Sequence, residues 1–457
     1  MPRLESRTSS PEGSIWRDLS EDTFRQHLVE LEKRTNAVPV DPQIFPLTED
    51  ESAKDRTLPL RVEQQLADDL AFLAAIEEGA QSVAAVCLEE HVQPAGLTMR
   101  FAALDLALGG EVKTALQHIV DTLTRSSFSS APSNHVEKLF ELIIKLHFRR
   151  LLARLRSNKW EKPKYLSKQH KKPLWQDFTN LIHRVQFLYT KKEAALRCSV
   201  ESHLQDLAPH YEAFEESKLG SQGELESLKE LIKASYECCT TTEVAEFAKR
   251  LEDSPSTTPT AKVASAIKCL RQIEKIATYW RIAVSLVDIA RAFPSLFQTQ
   301  PQLAFLTPYK SVPTAIGYET WATTCHVHAE VQLAVHYDIV FQHSQAANTN
   351  NEFRRPRVVG TSKWLCYLCY LFLRCHTSFV PANTHGRLYD QWTVPDLVDF
   401  DTQVCTRYRS ILRAMDDEIL RETSSVGPVE DGGSELVRWR AEPMTSRQNL
   451  LNIDCKV

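Results

Sequence analysis

Two short clusters constrain this chain more than anything else in it: His328-Ala329-Glu330 and, after an apolar run and a β-like segment, Cys366-Tyr367-Leu368-Cys369. One imidazole and two thiolates fill three positions of a tetrahedral Zn²⁺ site and leave the fourth for water. A carboxylate two residues from the histidine can move that water's protons. H-x-E alone discriminates nothing, because it occurs at His135-Val136-Glu137, His210-Tyr211-Glu212 and His328-Ala329-Glu330. Only the last is followed by a C-x-x-C at the right distance, and Cys366/Cys369 is the sole such pair in the sequence.

The flanks suit the same chemistry. From His328 onward Val331, Ala334, Val335 and Ile339 recur near one face at helical spacing, which predicts a helix whose N-terminus carries His328 and Glu330. Free N–H groups there favour anionic partners. Thr324–Val327 reads as the strand delivering the chain into that helix. Arg357–Ser362 reads as a short buried strand ending in a glycine turn, and Cys366–Arg374 as an apolar helix. Open α/β sheets bind ligands where strands end and helices begin, so two such transitions can bring the cysteines to His328. Cysteines three apart share a face of the first helical turn, and a helix N-terminus favours the thiolate that metals require. The fold class is therefore read as α/β.

His328-Ala329-Glu330, Ser362-Lys363-Trp364-Leu365-Cys366-Tyr367-Leu368-Cys369, and then Thr384-His385-Gly386 with Tyr389 and Trp392, together resemble the OTT-like deaminase family, a branch of the cytidine-deaminase-like superfamily found repeatedly in fungi. The resemblance covers roughly residues 300 to 395. It implies a three-layer α/β/α domain in which His328, Cys366 and Cys369 hold Zn²⁺ and Glu330 is the proton shuttle and not a ligand. The implied reaction is hydrolytic deamination of a base in a nucleotide or nucleic acid, with hydroxide attacking C4 of a cytosine or C6 of an adenine. It also points to His385, Tyr389 and Trp392 as lining for a base pocket, with Ser362 and Lys363 where a polar group could reach substrate. The superfamily's usual form is P-C-x-x-C; here Leu365 replaces the proline.

Other readings stand beside this one. A purely structural zinc site would need a fourth protein ligand, for which Cys325, His326, Cys375 and His376 are close in sequence. The C-x-x-C could be a thioredoxin-like redox pair, or the domain a metal-free relic. Residues 384–392 could be a turn with an aromatic anchor in the core. The whole chain could be a non-catalytic interaction protein in which a helical region binds partners and a zinc domain only scaffolds it.

At 457 residues there is room for two or three domains. The expected division is a loosely ordered segment 1–60 with a helix around Asp18–Lys33, a helical region 61–253, a linker 254–262, a zinc domain with flanking helices 263–422, and a flexible tail 423–457. From Leu60 to Ala292 the pattern reads as helical almost throughout, as in the stripe Val136, Leu139, Phe140, Ile143 and Ile144. Within the zinc domain strands are expected near Leu303–Leu306, Thr324–Val327, Val358–Thr361 and Ser378–Pro381. A fifth is not evident, and a helix over about Asp396–Arg421 follows Pro395. Eleven cysteines without even spacing, no leader with an apolar core and no bilayer-length apolar run predict an intracellular protein with no membrane partner.

A net charge of -5 exerts no global pull toward nucleic acid. Yet between Lys145 and Lys172 eleven Lys or Arg face one acid, Glu161, with Trp160 and Tyr165 interleaved. Such a stripe, including Arg149, Arg150, Arg154 and Lys159, could track a nucleic-acid backbone. The alternative is docking on the thirteen acids between Glu201 and Asp253.

Overall fold

A long β-hairpin, Ala84–Val92 paired with Ala95–Ala103, stands far from the zinc motif in sequence. It is antiparallel from Ala84↔Ala103 to Val92↔Ala95. Gln302–Phe305 runs parallel to it along Thr98–Phe101. On the other side Phe353–Arg354 pairs with Glu90 and His91, and Gly360–Thr361 with Ala85 and Val86. The computed structural model describes residues 13–48, 56–77, 83–104, 107–164, 172–253, 261–346, 353–425 and 450. They fall into two compact units, one drawn from Met1–Ala75, Ala80–Val120 and Phe293–Pro443, the other from Ile76–Gly79, Asp121–Ala292 and Met444–Val457.

In the first unit helices cover both faces of the sheet. Ala85 and Cys87 join one buried cluster with the helices Ala329–Ala346, Tyr367–His376 and Thr402–Ser425. Side chains alternate along a strand, so Val86 and its partner Gly360 face the opposite way. There the helix Leu60–Ala74 comes so close that a Cβ on Gly360 would lie 2.2 Å from the Ala67 carbonyl carbon. Only a glycine lets helix and strand backbones approach this far.

The two-sided burial accounts for the main departure from expectation. Ala84 to Glu90 are all buried, so the strand lacks the alternation that marks a half-exposed sheet and reads like part of a helical run. The expected helical region 61–253 is thus interrupted by the central strands of the first unit. The boundary at 263 is replaced by an excursion in sequence, leaving the first unit after Val120 and returning at Phe293. Of the four expected strands, Gln302–Phe305 and Gly360–Thr361 lie in the sheet. Thr324–Cys325 pairs instead with Val312–Pro313. Ser378–Pro381 is not a strand; Asn383–Thr384 is, paired with Gln43–Ile44.

Residues 13–48 of the amino-terminal segment are among those described. Its helix, Glu21–Thr35, is capped by Ser20, whose side chain accepts from Thr23 N. It packs on Thr402–Ser425, to which His27 Nδ1 is joined at 2.7 Å through Asp416. Of the expected linker 254–262, residues 254–260 lie outside the described residues and Ala261 and Lys262 open the helix Ala261–Ala292; most of the tail (426–449 and 451–457) also lies outside them.

The second unit is helical, with segments Pro132–Leu155, Phe178–Leu188, Ala194–Gln205, Ala208–Glu216, Gln222–Thr240, Thr242–Glu252 and the long Ala261–Ala292. Of the stripe Val136, Leu139, Phe140, Ile143 and Ile144, the last four are fully buried and Val136 is half-buried. Part of the basic stretch is paired within this unit, while Lys145, Arg149, Lys162, Lys164 and Lys172 are exposed. Lys159 Nζ donates to Phe214 O at 2.6 Å, Ser217 Oγ at 2.8 Å and Glu224 Oε1 at 3.0 Å. Arg150 is buried, and Arg154 donates to Lys275 O at 3.1 Å with its guanidinium over the Tyr279 ring. Arg156 and Lys172 share Asp177. Of the four residues proposed for nucleic acid only Arg149 is exposed, and Tyr165 lies outside the described residues.

Candidate metal centre

His328 is the residue before the helix Ala329–Ala346, and its carbonyl accepts the first helical bond, from Gln332 N at 3.0 Å. The Gln332 side chain fixes this start: Nε2 donates to Val327 O at 2.8 Å, Ala103 O at 2.8 Å and Leu104 O at 3.1 Å. The hairpin's end and the histidine turn are thereby joined by one amide. Across from them Cys366 caps the helix Tyr367–His376, its Sγ accepting from Cys369 N at 3.3 Å. A thiol that already meets helix N–H groups is held where its anion is favoured.

The two turns converge. His328 Nδ1 lies 3.6 Å from Cys366 Sγ and 3.3 Å from Cys369 Sγ, and the three donor atoms are all within 4.8 Å of one another. Glu330 is buried, and its Oε2 lies 3.4 Å from Cys369 Sγ. Two sulfurs and one imidazole nitrogen are the donor set that Zn²⁺ takes with one position left open. Cys375 and His376 are at the far end of their helix, where His376 is bound to Asp338 at 2.7 Å. Among the described residues no fourth side chain joins the group.

Burial opposes charge throughout the site. It raises the Glu330 carboxyl above its ordinary range, with the nearby His328 pulling the other way. It also works against ionising either thiol. At Cys366 the hydrogen bond from Cys369 and the neighbouring His328 outweigh it and hold the thiol well below its usual range. Cys369 is driven well above that range by burial and by Cys366 itself. Metal ligands must be deprotonated, so a metal bound here would displace the remaining thiol proton.

The loop 382–388 lies against the turn before Cys366. Thr384 Oγ1 donates to Leu365 O at 2.9 Å, Leu365 N donates to Asn383 Oδ1 at 3.3 Å, and Tyr367 N donates to Arg387 O at 2.9 Å. His385 N donates to Leu365 O at 3.0 Å, which sets this histidine beside the cysteine turn. Burial lowers the pKa of its ring. Tyr389, exposed, meets the His385 ring edge-on at 5.9 Å.

Three of the residues expected to line a pocket are placed otherwise or only nearby. Trp392 is a core side chain, 1% exposed, between Phe24 and Phe372, so its ring is not offered to a base. Its indole stands close enough to Cys369 to favour the thiolate, without a hydrogen bond of ordinary geometry. Ser362 is buried and closes the sheet edge: its Oγ accepts from Ala84 N at 3.1 Å. Lys363 is exposed, within electrostatic reach of His385. Sequence reasoning missed Gln332 and the hairpin end it grips; the amide at i+4 from His328 was the available signal.

The model of the OTT-like deaminase family matches residues 327–396, a segment that contains His328, Glu330, Cys366, Cys369 and the 384–392 loop. The segment is thereby assigned to a deaminase-like family, and the assignment made from the motif holds for it. Comparison with curated proteins and with solved structures gives no match. No helix among the described residues is long and apolar enough to cross a membrane.

Proposed function

We propose that this protein is a zinc-dependent hydrolytic deaminase acting on a base in a nucleotide or nucleic acid, with its first unit layered as in cytidine-deaminase-like folds. The observation that carries this reading is the meeting of His328, Cys366 and Cys369 from two helix starts with the buried Glu330 carboxylate against one of the sulfurs. His328, Cys366 and Cys369 would hold the ion. Zinc supplies Lewis acidity, which brings the pKa of a bound water to about 7. Glu330 would then accept a proton from water, deliver it to the ring nitrogen next to the attacked carbon and assist departure of ammonia. Its burial would shield that transfer from bulk solvent. His385 and Tyr389 would help to orient a bound base, a reading supported by the contact of the His385 turn with the cysteine turn.

The test uses purified full-length chain. About one zinc per chain is expected, lost in Cys366→Ala, with ammonia released from some member of a panel of bases, nucleosides and oligonucleotides. Glu330→Gln should keep its zinc and fold while losing about 10²- to 10⁴-fold in rate. Zinc-free wild type, or Cys366→Ala with unchanged metal content, would overturn the reading. A Glu330→Gln variant with unimpaired function would favour the scaffold alternative.

A further inference from the structure

The His385 side chain has a tautomer fixed by its own loop. Arg387 N donates to His385 Nδ1 at 3.1 Å, so Nδ1 acts as acceptor and the ring's proton resides on Nε2. The loop is not free to change this. Gly386, between the two residues, has φ +71°, and a Cβ there would lie 1.8 Å from Val40 O. Thr384 Oγ1 accepts from Gly386 N at 3.0 Å, which pins the same turn from the other side. Among the described residues Nε2 has no hydrogen-bond partner, and it is not sealed off as a buried orphan. Backbone bonds from His385 to Leu365 and from Tyr367 to Arg387 bracket Cys366, which sets the His385 turn against the cysteine turn with its ring within electrostatic reach of Cys366.

We propose that His385 is a specificity residue whose Nε2–H reads a carbonyl oxygen of the substrate base and so selects cytosine over adenine. The proposal rests on the deaminase reading of the same site. In cytosine the attacked C4 and the C2 carbonyl flank one ring nitrogen, the atom that Glu330 must protonate. In adenine the equivalent flank of N1 is a C–H. A fixed donor beside the metal is satisfied by the first base and left without a partner by the second, and an unmatched polar group is what gives such sites their discrimination. Tyr389, edge-on to the imidazole, limits rotation of the ring away from that direction.

Asparagine and glutamine separate the two nitrogens of this ring. His385→Asn places an oxygen near Nδ1, where it can accept from Arg387 N, and removes the donor at Nε2. His385→Gln reaches the Nε2 position with an amide N–H. Full-length wild type and both variants would be compared on cytidine, adenosine and short single strands carrying either base. Zinc content and the ¹⁵N shifts of labelled histidine would be measured alongside. Expected are a cytosine preference in wild type, a fall of about tenfold or more in kcat/KM for the cytosine substrate in His385→Asn, and substantial recovery in His385→Gln. Zinc should stay at wild-type level in all three, and the His385 signals should show a bare Nδ1 and a protonated Nε2. Equal losses in both variants, no loss in either, an adenine preference, or a proton on Nδ1 would overturn the proposal while leaving the deaminase reading intact. Wild type that holds zinc but releases no ammonia from any substrate would defeat the deaminase reading, and this proposal with it.

Discussion

Gly386→Ala tests how far the metal centre depends on residues outside the motif. A Cβ at this position would stand 1.8 Å from Val40 O and 2.8 Å from the Val40 carbonyl carbon. Non-bonded heavy atoms settle at roughly 3.5 Å, so the two backbones must part by about 1.7 Å. That movement breaks the bond from Leu388 N to Ala37 O, now 2.9 Å, and disturbs the pairing of Gln43–Ile44 with Asn383–Thr384. An L-residue at φ +71° adds about 1–2 kcal/mol, and each lost hydrogen bond about 1 kcal/mol. The total is about 3 kcal/mol, or a fall of roughly 6–12 °C in Tm for a unit of this size. Because the displaced loop holds Leu365 and Tyr367 on either side of Cys366, zinc occupancy should fall as well. Calorimetry and metal analysis would follow both effects. Gly96→Ala is the control, with nothing within 4 Å of the new Cβ, and should change stability by less than about 0.5 kcal/mol. If Gly386→Ala matched the control in Tm and in zinc content, the dependence of the cysteine turn on residues 37–45 would be refuted.

Two further substitutions probe each unit separately. Asp338 is buried between His376 Nε2 at 2.7 Å, Arg355 at 2.6 Å and Arg407 at 3.1 Å. Burial alone would raise its pKa, but His376 and the two arginines outweigh that and bring it down to about 2. A depressed folded pKa stabilises fully above the unfolded value near 4 and is lost as pH falls toward 2, here roughly 2 kcal/mol. Burial also lowers the pKa of His376, so its forced protonation weakens the fold in the same direction. Asp338→Asn should therefore cost about 3–5 kcal/mol at pH 7 and flatten the acid limb, measured by urea unfolding from pH 7 to 2; an unchanged acid limb would argue against it. In the second unit Lys159→Ala strands the buried Glu224 and should lower stability by about 3 kcal/mol. A variant as stable as wild type but weaker on single-stranded nucleic acid would instead assign Lys159 to the basic-stripe reading.

The parts of the site that could be read from the sequence were those set by short-range covalent spacing. His328 and Glu330 share a helix start, and Cys366 and Cys369 one turn, because positions two or three apart have little freedom once a helix is given. The hairpin could not be read: buried on both faces, Ala84–Glu90 shows neither the period of a half-exposed strand nor a turn signal stronger than Gln93-Pro94. Lys159 misled for a related reason. Formal charge in a sequence carries no sign of whether the ammonium meets water or a carboxylate, and here it meets Glu224 and two oxygens from Phe214 and Ser217. Trp392 looked like a base-stacking residue because aromatic side chains serve cores and pockets alike. The tautomer of His385 depends on an N–H two residues away in a left-handed turn, and only coordinates give that.

The residues that could hold a metal and those that position them are therefore different sets, far apart in the chain. Positions 327–396 contribute the imidazole, the sulfurs and the carboxylate. The start of the histidine helix is gripped by Ala103 and Leu104 through Gln332, and its middle is tied to the hairpin by Tyr337 Oη donating to Glu89 at 2.9 Å. The strand leading to the cysteines is anchored by Arg357 on Glu63 at 2.8 Å and by Thr361 N on Asp68 at 2.7 Å. The loop bearing His385 rests on residues 37–45. A tetrahedral site tolerates only a few tenths of an ångström of misplacement, and each of these contacts fixes one approach of a ligand-bearing turn. After the excursion between Val120 and Phe293 the returning chain re-enters beside the hairpin, where Gln302–Phe305 pairs with Thr98–Phe101, so the segment that leads to His328 starts from the same sheet whose end Gln332 grips.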